Sequence, residues 1–136
     1  MSAGWSSCAS SRPSGAGLRW RLTRALEVFN RQAGRMALSA ITLAELLHGA
    51  EKSSRPLPNL AVVEDFCSRL EVLPYGPKAA QHYGRIRAAL ETQGTPIGVN
   101  DLHIAAHARS DGLIVVTNHR REFDRVPALQ VENWSL

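Results

Sequence analysis

Short apolar runs alternate along this chain with longer segments whose apolar residues recur at helical spacing, and that alternation restricts the fold more than any other feature. Leu113-Ile114-Val115-Val116 is a continuous apolar run, which suits a strand covered on both faces and not one with a face in water. Met36 to Ile41 is a second such stretch and runs into Thr42-Leu43-Ala44-Glu45 and Leu46-Leu47. Glu71 to Tyr75 and Leu129 to Glu132 are further candidate strands. Between them, Leu60, Val63, Phe66 and Leu70, then Ala80, Tyr83, Ile86 and Leu90, follow the three- and four-residue steps of amphipathic helices. Pro56 and Pro58 mark a loop, Pro77 suits the first position of a helix and Gly94 its end. Asn100 is a cap for a further helix ending near Gly112. An earlier short helix is expected from Leu22, Leu26 and Phe29, stopping at Gly34. Strands alternating with helices specify a parallel sheet with helices packed on its faces, and ligands in such folds gather beyond the C-terminal ends of the strands.

The length of 136 residues fits one domain with a real core. The net charge of +4 is not spread evenly: residues 1–35 hold six arginines against Glu27 alone, while the rest holds 10 basic and 11 acidic side chains. The basic balance therefore belongs to the first quarter and says nothing about the partner of the folded part. Met1 to Gly17, rich in Ser, Gly and Ala without apolar periodicity, reads as a disordered tail. Its Arg-rich, acid-poor composition suits a transit peptide, an upstream frameshift or a wrongly chosen start alike. Cys8 and Cys67 are too few for a disulfide framework, which favours a reducing, cytosolic setting. No run approaches the roughly 18 apolar residues that cross a bilayer, so no membrane partner is expected.

Glu45 follows the first apparent strand, Asp101 lies in the first turn of the helix after Asn100, and Asn118 and Glu122 follow the strand Leu113 to Val116. Three segments thus bring carboxylate or amide oxygens to one edge of a parallel sheet. Hard cations such as Mg²⁺ or Mn²⁺ take such ligands, keep several waters and bind substrate phosphate, an arrangement suited to phosphodiester hydrolysis. Each residue also has a plainer role. Thr42 to Glu45 matches a capping box, Asp101 complements a helix dipole, Asn118 suits a turn and Glu122 a solvated surface. Arg120, Arg121 and Arg125 form a basic cluster able to hold RNA phosphates, or an ordinary surface turn. His103 and His107 stand four apart, but Ile104 occupies the place where a zinc protease motif has Glu. Phosphate-loop and nucleophile-elbow motifs are absent, which removes support for nucleotide and serine hydrolases.

Three segments carry a resemblance. Ser39-Ala40-Ile41-Thr42-Leu43-Ala44-Glu45-Leu46-Leu47-His48-Gly49-Ala50-Glu51-Lys52-Ser53 resembles the second motif of the VapC toxins of the PIN-domain superfamily. Gly94-Thr95-Pro96-Ile97-Gly98-Val99-Asn100-Asp101 resembles their third, and Val116-Thr117-Asn118-His119-Arg120-Arg121-Glu122-Phe123 their fourth. Glu132-Asn133-Trp134 near the end is also similar, and the likeness runs from about Phe29 to Trp134. It implies a three-layer α/β fold for residues 29–136, with a central parallel sheet flanked by helices. It further implies a Mg²⁺- or Mn²⁺-dependent endoribonuclease acting on structured RNA such as transfer or ribosomal RNA, a VapB-type antitoxin partner, a homodimer and a bacterial cytoplasmic setting. Glu45 and Asp101 match the family's metal-binding acids, and Asn118 and Glu122 its more variable fourth cluster. Arg120 and Arg121 are the RNA-binding candidates.

The N-terminus departs from this pattern. VapC chains open with a short apolar strand ending in Asp-Thr-Asn, whose Asp is a central ligand, and no such segment precedes Glu27, the first acid of this chain. The expectation is therefore that residues 1–28 are a basic, disordered or misframed segment and that the central strand is missing. Two readings follow: an RNase toxin, active or weakened, or a catalytically impaired remnant that only binds antitoxin or RNA.

Overall fold

A computed structural model describes residues 2–6, 27, 36–117 and 119–133, with side chains for all of these except 2–6. Its five strands are β1 (Ser2–Ser6), β2 (Met36–Ser39), β3 (Glu71–Leu73), β4 (Ile114–Thr117) and β5 (Val131–Glu132). The helices are α1 (Ala40–Glu51), α2 (Pro56–Cys67), α3 (Pro77–Thr92), α4 (Val99–Ser110) and the single turn α5 (Arg120–Phe123). All four strand pairings are parallel, in the order β3-β2-β1-β4-β5. The helix expected around Leu22 to Gly34 lies outside the described residues apart from Glu27, which is helical.

Where the sequence leaves the centre of the sheet vacant, the backbone of Ser2–Ser6 runs. It pairs Ser2 and Ala3 with Met36 and Ala37 on one side, and Trp5 and Ser6 with Val116 and Thr117 on the other. Both neighbours present a row of N–H and C=O groups to this slot, and any extended segment can satisfy them through its main chain. The strand brings no carboxylate, because residues 1–26 contain neither Asp nor Glu. The rest of the 1–28 segment lies outside the described residues.

Two apolar clusters hold the layers together. One joins Leu38 of β2 to Leu46 and Ala50 of α1 and to Val63 and Phe66 of α2. The other gathers Ile86 and Leu90 of α3, Leu102, Ile104, Ala105, Ala106 and Ala108 of α4, Val115 of β4 and Phe123 of α5. Helix α4 is buried almost all round, as its even apolarity demands, and its alanines allow close approach to the neighbouring elements. The element that carries Asp101 is thus among the most firmly packed of the molecule.

Three boundaries move from their expected places. Helix α2 begins at Pro56 and includes Pro58, since the first turn's N–H groups have no intrahelical acceptor and proline there sacrifices nothing. Helix α4 begins at Val99 with Gly98 as its cap, not at Asn100, which puts Asn100 inside the first turn. Helix α1 begins at Ala40, with the Ser39 hydroxyl accepting from the Ile41 N–H at 3.2 Å.

Candidate active site

The earlier start of α1 decides between the two readings of Glu45. With Ser39 as the cap, Thr42 is the third helical residue and Glu45 lies in the second turn, too far along for a capping box. The Glu45 carboxyl, partly buried, instead makes a side-chain hydrogen bond with Asn100 of α4. Burial pushes its pKa above the ordinary carboxylate range, and the bond to Asn100 opposes that only in part.

Asn100 is followed by Asp101, and Asp101 meets Glu122. Helix α5 starts three residues beyond β4 and turns Glu122 towards the first turn of α4, where the two carboxyl groups hydrogen-bond to each other. Both lie over the bare Cα of Gly98. A Cβ placed there would stand 3.8 Å from Glu122 Oε2 and 3.9 Å from Asp101 Oδ2. The bond from Asp101 is the main reason that the Glu122 pKa falls below the usual range. The Gly98 N–H and the positive charges of Arg125 and His119 add to the lowering, and burial works against it. Two carboxyl groups in hydrogen-bond contact share one proton unless a cation takes its place, because two bare charges at that separation repel strongly.

Glu45 with Asn100, and Asp101 with Glu122, are two bonded pairs on elements that follow the C-terminal ends of β2 and β4, the side of a parallel sheet where ligands bind. Among the described residues no three His, Cys, Asp or Glu side chains gather as a metal-binding group. Asn118 lies outside the described residues. Its neighbour Thr117 is buried and closes the turn by accepting from the His119 N–H at 3.0 Å.

The basic residues beside the two pairs differ in their engagements. Arg125 donates from Nη1 to the Pro96 carbonyl at 3.0 Å, tying α5 to the loop that precedes Gly98. Arg120 faces Asp124 at 3.4 Å in an exposed pair, and Arg121 is exposed. The two histidines of α4 are used differently again. His103 Nδ1 is 2.9 Å from the Tyr75 hydroxyl, and its ring stacks on Tyr83 at 4.2 Å between centroids. His107 is buried with Nδ1 at 2.8 Å from Ser39 Oγ, so the cap of α1 and the last turn of α4 are joined. Burial lowers its pKa despite the Asp111 carboxylate and the Pro74 carbonyl nearby, which keeps the ring neutral at pH 7.

Of the residues singled out in the sequence, the structure brings Asp101 and Glu122 together and sets Glu45 against Asn100; the side-chain bond of Asn100 and the amide of Gly98 were not foreseen. Asn100 reads as a cap because Asn is a strong capping residue, and only the position of Gly98 two residues earlier frees its side chain for Glu45.

Comparison with known proteins points to one family. The PIN domain family model matches residues 18–129. Ribonuclease VapC2 of Haemophilus influenzae is 60% identical over 114 residues, spanning 82% of this chain and 86% of that protein. The tRNA(fMet)-specific endonuclease VapC of Salmonella typhimurium is 57% identical over 108 residues, spanning 79% and 82%. The crystal structure of DNA-bound VapBC from Salmonella typhimurium superposes with a TM-score of 0.83 at 45% identity over 99% of each chain. VapBC2 from Rickettsia felis, solved bound to a promoter DNA fragment, gives 0.80 at 32% identity over 99% of this chain and 100% of that one. A family model matched across most of the chain and identities of this size over four fifths of its length place the protein in the VapC family of PIN-domain ribonucleases.

Proposed function

We propose that this chain is the toxin component of a VapBC-type toxin–antitoxin pair, a Mg²⁺- or Mn²⁺-dependent endoribonuclease that hydrolyses phosphodiester bonds in structured RNA. The observation that carries this reading is the Asp101–Glu122 carboxyl pair over Gly98, with Glu45 bonded to Asn100, the residue that precedes Asp101. Two carboxylates with room for water suit Mg²⁺, which is commonly held by one or two such groups together with substrate phosphate. In this reading Asp101 and Glu122 hold the ion, with Glu45 adding negative charge behind them. When bound, the ion neutralises charge on the phosphate and makes water more acidic. Glu45, with its raised pKa, takes up the proton released by the attacking water, and Asn100 fixes its orientation. Arg120 and Arg121 bind RNA phosphates on the outer side of α5.

A relative named for tRNA(fMet) supports transfer RNA as the substrate class, and the solved VapBC complexes support a VapB-type antitoxin. We extend the reading to a homodimer in the bacterial cytoplasm. None of the described helices is long and apolar enough to cross a membrane. A second reading, an impaired remnant that binds antitoxin or RNA without cutting, is favoured by the lack of any acid in residues 1–26, including the central strand β1. The two share a fold and differ in turnover.

End-labelled transfer RNA incubated with the purified chain tests the proposal. Cleavage is expected to be slow, to need Mg²⁺ or Mn²⁺, and to fall by more than about 100-fold in Asp101→Asn, since even groups outside the ligand shell cost 10- to 100-fold. Cleavage that persists in chelator or in Asp101→Asn overturns the metal site. RNA binding without cleavage in either form favours the impaired reading.

A further inference from the structure

Residues 36–136 carry a slight acidic excess, so any attraction of this folded part for a polyanion must come from a local concentration of charge. One exists away from the carboxyl pair, on the α3–α4 hairpin. Lys78, His82 and Arg85 stand at i, i+4 and i+7 on α3 and share one face of that helix. Arg109, in the last turn of α4, reaches them: its Nε donates to His82 Nδ1 at 3.0 Å and its Nη1 to the Pro127 carbonyl at 3.0 Å. The charges acting on His82 are all positive, those of Arg109, Arg85 and Lys78, and Arg85 likewise acts on Arg109. The nearest acid in sequence, Asp111, sits beside His107 instead.

The guanidinium of Arg109 is thus fixed at two points by neutral acceptors. His82 stays an acceptor because partial burial and the surrounding cations lower its pKa, so Nδ1 keeps its lone pair at neutral pH. Such an arrangement is unhelpful for stability, since like charges repel and the charges acting on His82 and Arg109 are those of cations. It suits recognition, because a guanidinium held in place has donors left over and loses little freedom on meeting an anion. Arg109 lies eight residues beyond Asp101 on the same helix, about 12 Å along its axis, or three to four nucleotides at roughly 3.4 Å each.

We propose that Lys78, Arg85 and Arg109, with His82 as the positioning residue of Arg109, form a second binding surface for the phosphate backbone of the RNA substrate, several nucleotides from the carboxyl pair. The inference rests on the ribonuclease reading above and adds to it the surface that holds the substrate at a distance from the cut.

The test is binding of a fluorescent transfer RNA to the full chain in chelator, where nothing is cut, measured from 50 to 200 mM salt. Lys78→Gln with Arg85→Gln, both exposed positions, is expected to weaken binding and to lower the slope of log affinity against log salt by about 2, one for each cation withdrawn from a phosphate. His82→Leu should lower affinity while keeping the net charge, and His82→Gln, which retains an acceptor for Arg109, should restore much of it. Melting curves on all variants confirm folding. An unchanged slope in the double variant with RNA binding intact overturns this inference and leaves the ribonuclease reading standing. No RNA binding by the parent chain overturns both. A double variant that loses affinity for polyglutamate but not for RNA would make the patch a protein-docking surface, and the proposal would be wrong.

Discussion

At Glu45 the structural and functional readings of a single residue part company. As a capping residue it would stabilise α1; bonded to Asn100 and partly buried, it carries a carboxyl whose ionised form is disfavoured in the folded state. A folded pKa above the unfolded value means that stability is greatest at low pH and falls as pH rises through the unfolded value towards the folded one, so this group destabilises the fold at pH 7 relative to low pH. Glu45→Gln keeps an oxygen for Asn100 and removes the charge. Its melting temperature should exceed that of the parent at pH 7, the difference should shrink towards pH 4, and cleavage should drop. A variant that melts lower at pH 7 would contradict the raised pKa, since Gln serves a capping box as well as Glu and would leave that role unchanged. Local sequence could not decide this, because Ser39 and Thr42 both suit a helix start and Thr42 has the Glu three residues on that a capping box requires. The pairing of Ser39 with Leu73 in the sheet keeps it in β2, and α1 starts directly after it.

At the scale of elements, β2 to β5 and α1 to α3 were legible from apolar patterning to within a few residues, since burial on a sheet or along a helix stripe imposes that pattern, and α4 from Asn100 and Gly112 at its ends. What failed were the ends, where capping alternatives compete within one turn and proline is neutral in the first. The glycines of α3 separate ends from interiors. Gly94 has φ 71° just past the helix, accepted without strain only by a residue lacking Cβ, and opens the loop to Gly98 and the carboxyl pair. Gly84 lies within α3 with open space where a Cβ would go. Gly94→Ala should cost about 1 to 2 kcal/mol, and Gly84→Ala should add about 0.5 to 1 kcal/mol. Urea unfolding midpoints that move in the same direction for both would contradict the assigned conformations.

For the molecule as a whole, the sequence announced the layered α/β fold and the residues Asp101 and Glu122 that meet in it, yet not the occupant of its central slot. Nothing in Ser2–Ser6 has the apolar pattern of a buried strand, and the slot is filled through main-chain pairing on both edges. Pairing restores the sheet without restoring the chemistry. With no acid before Glu27, the proposed site has Asp101, Glu122 and Glu45 for its negative charge, and that smaller charge should bind Mg²⁺ weakly, because that ion parts with water reluctantly. The measurement that bears most directly on this is bacterial growth on induction, without antitoxin, of three forms at equal soluble level. They are the chain as written, a chain whose residues 1–28 are replaced by an apolar strand ending in Asp-Thr-Asn, and that repaired chain carrying Asp101→Asn. Arrest is expected from the repaired chain alone. Arrest by the chain as written, or a repaired chain that is folded yet harmless, would contradict the dependence of activity on the missing aspartate.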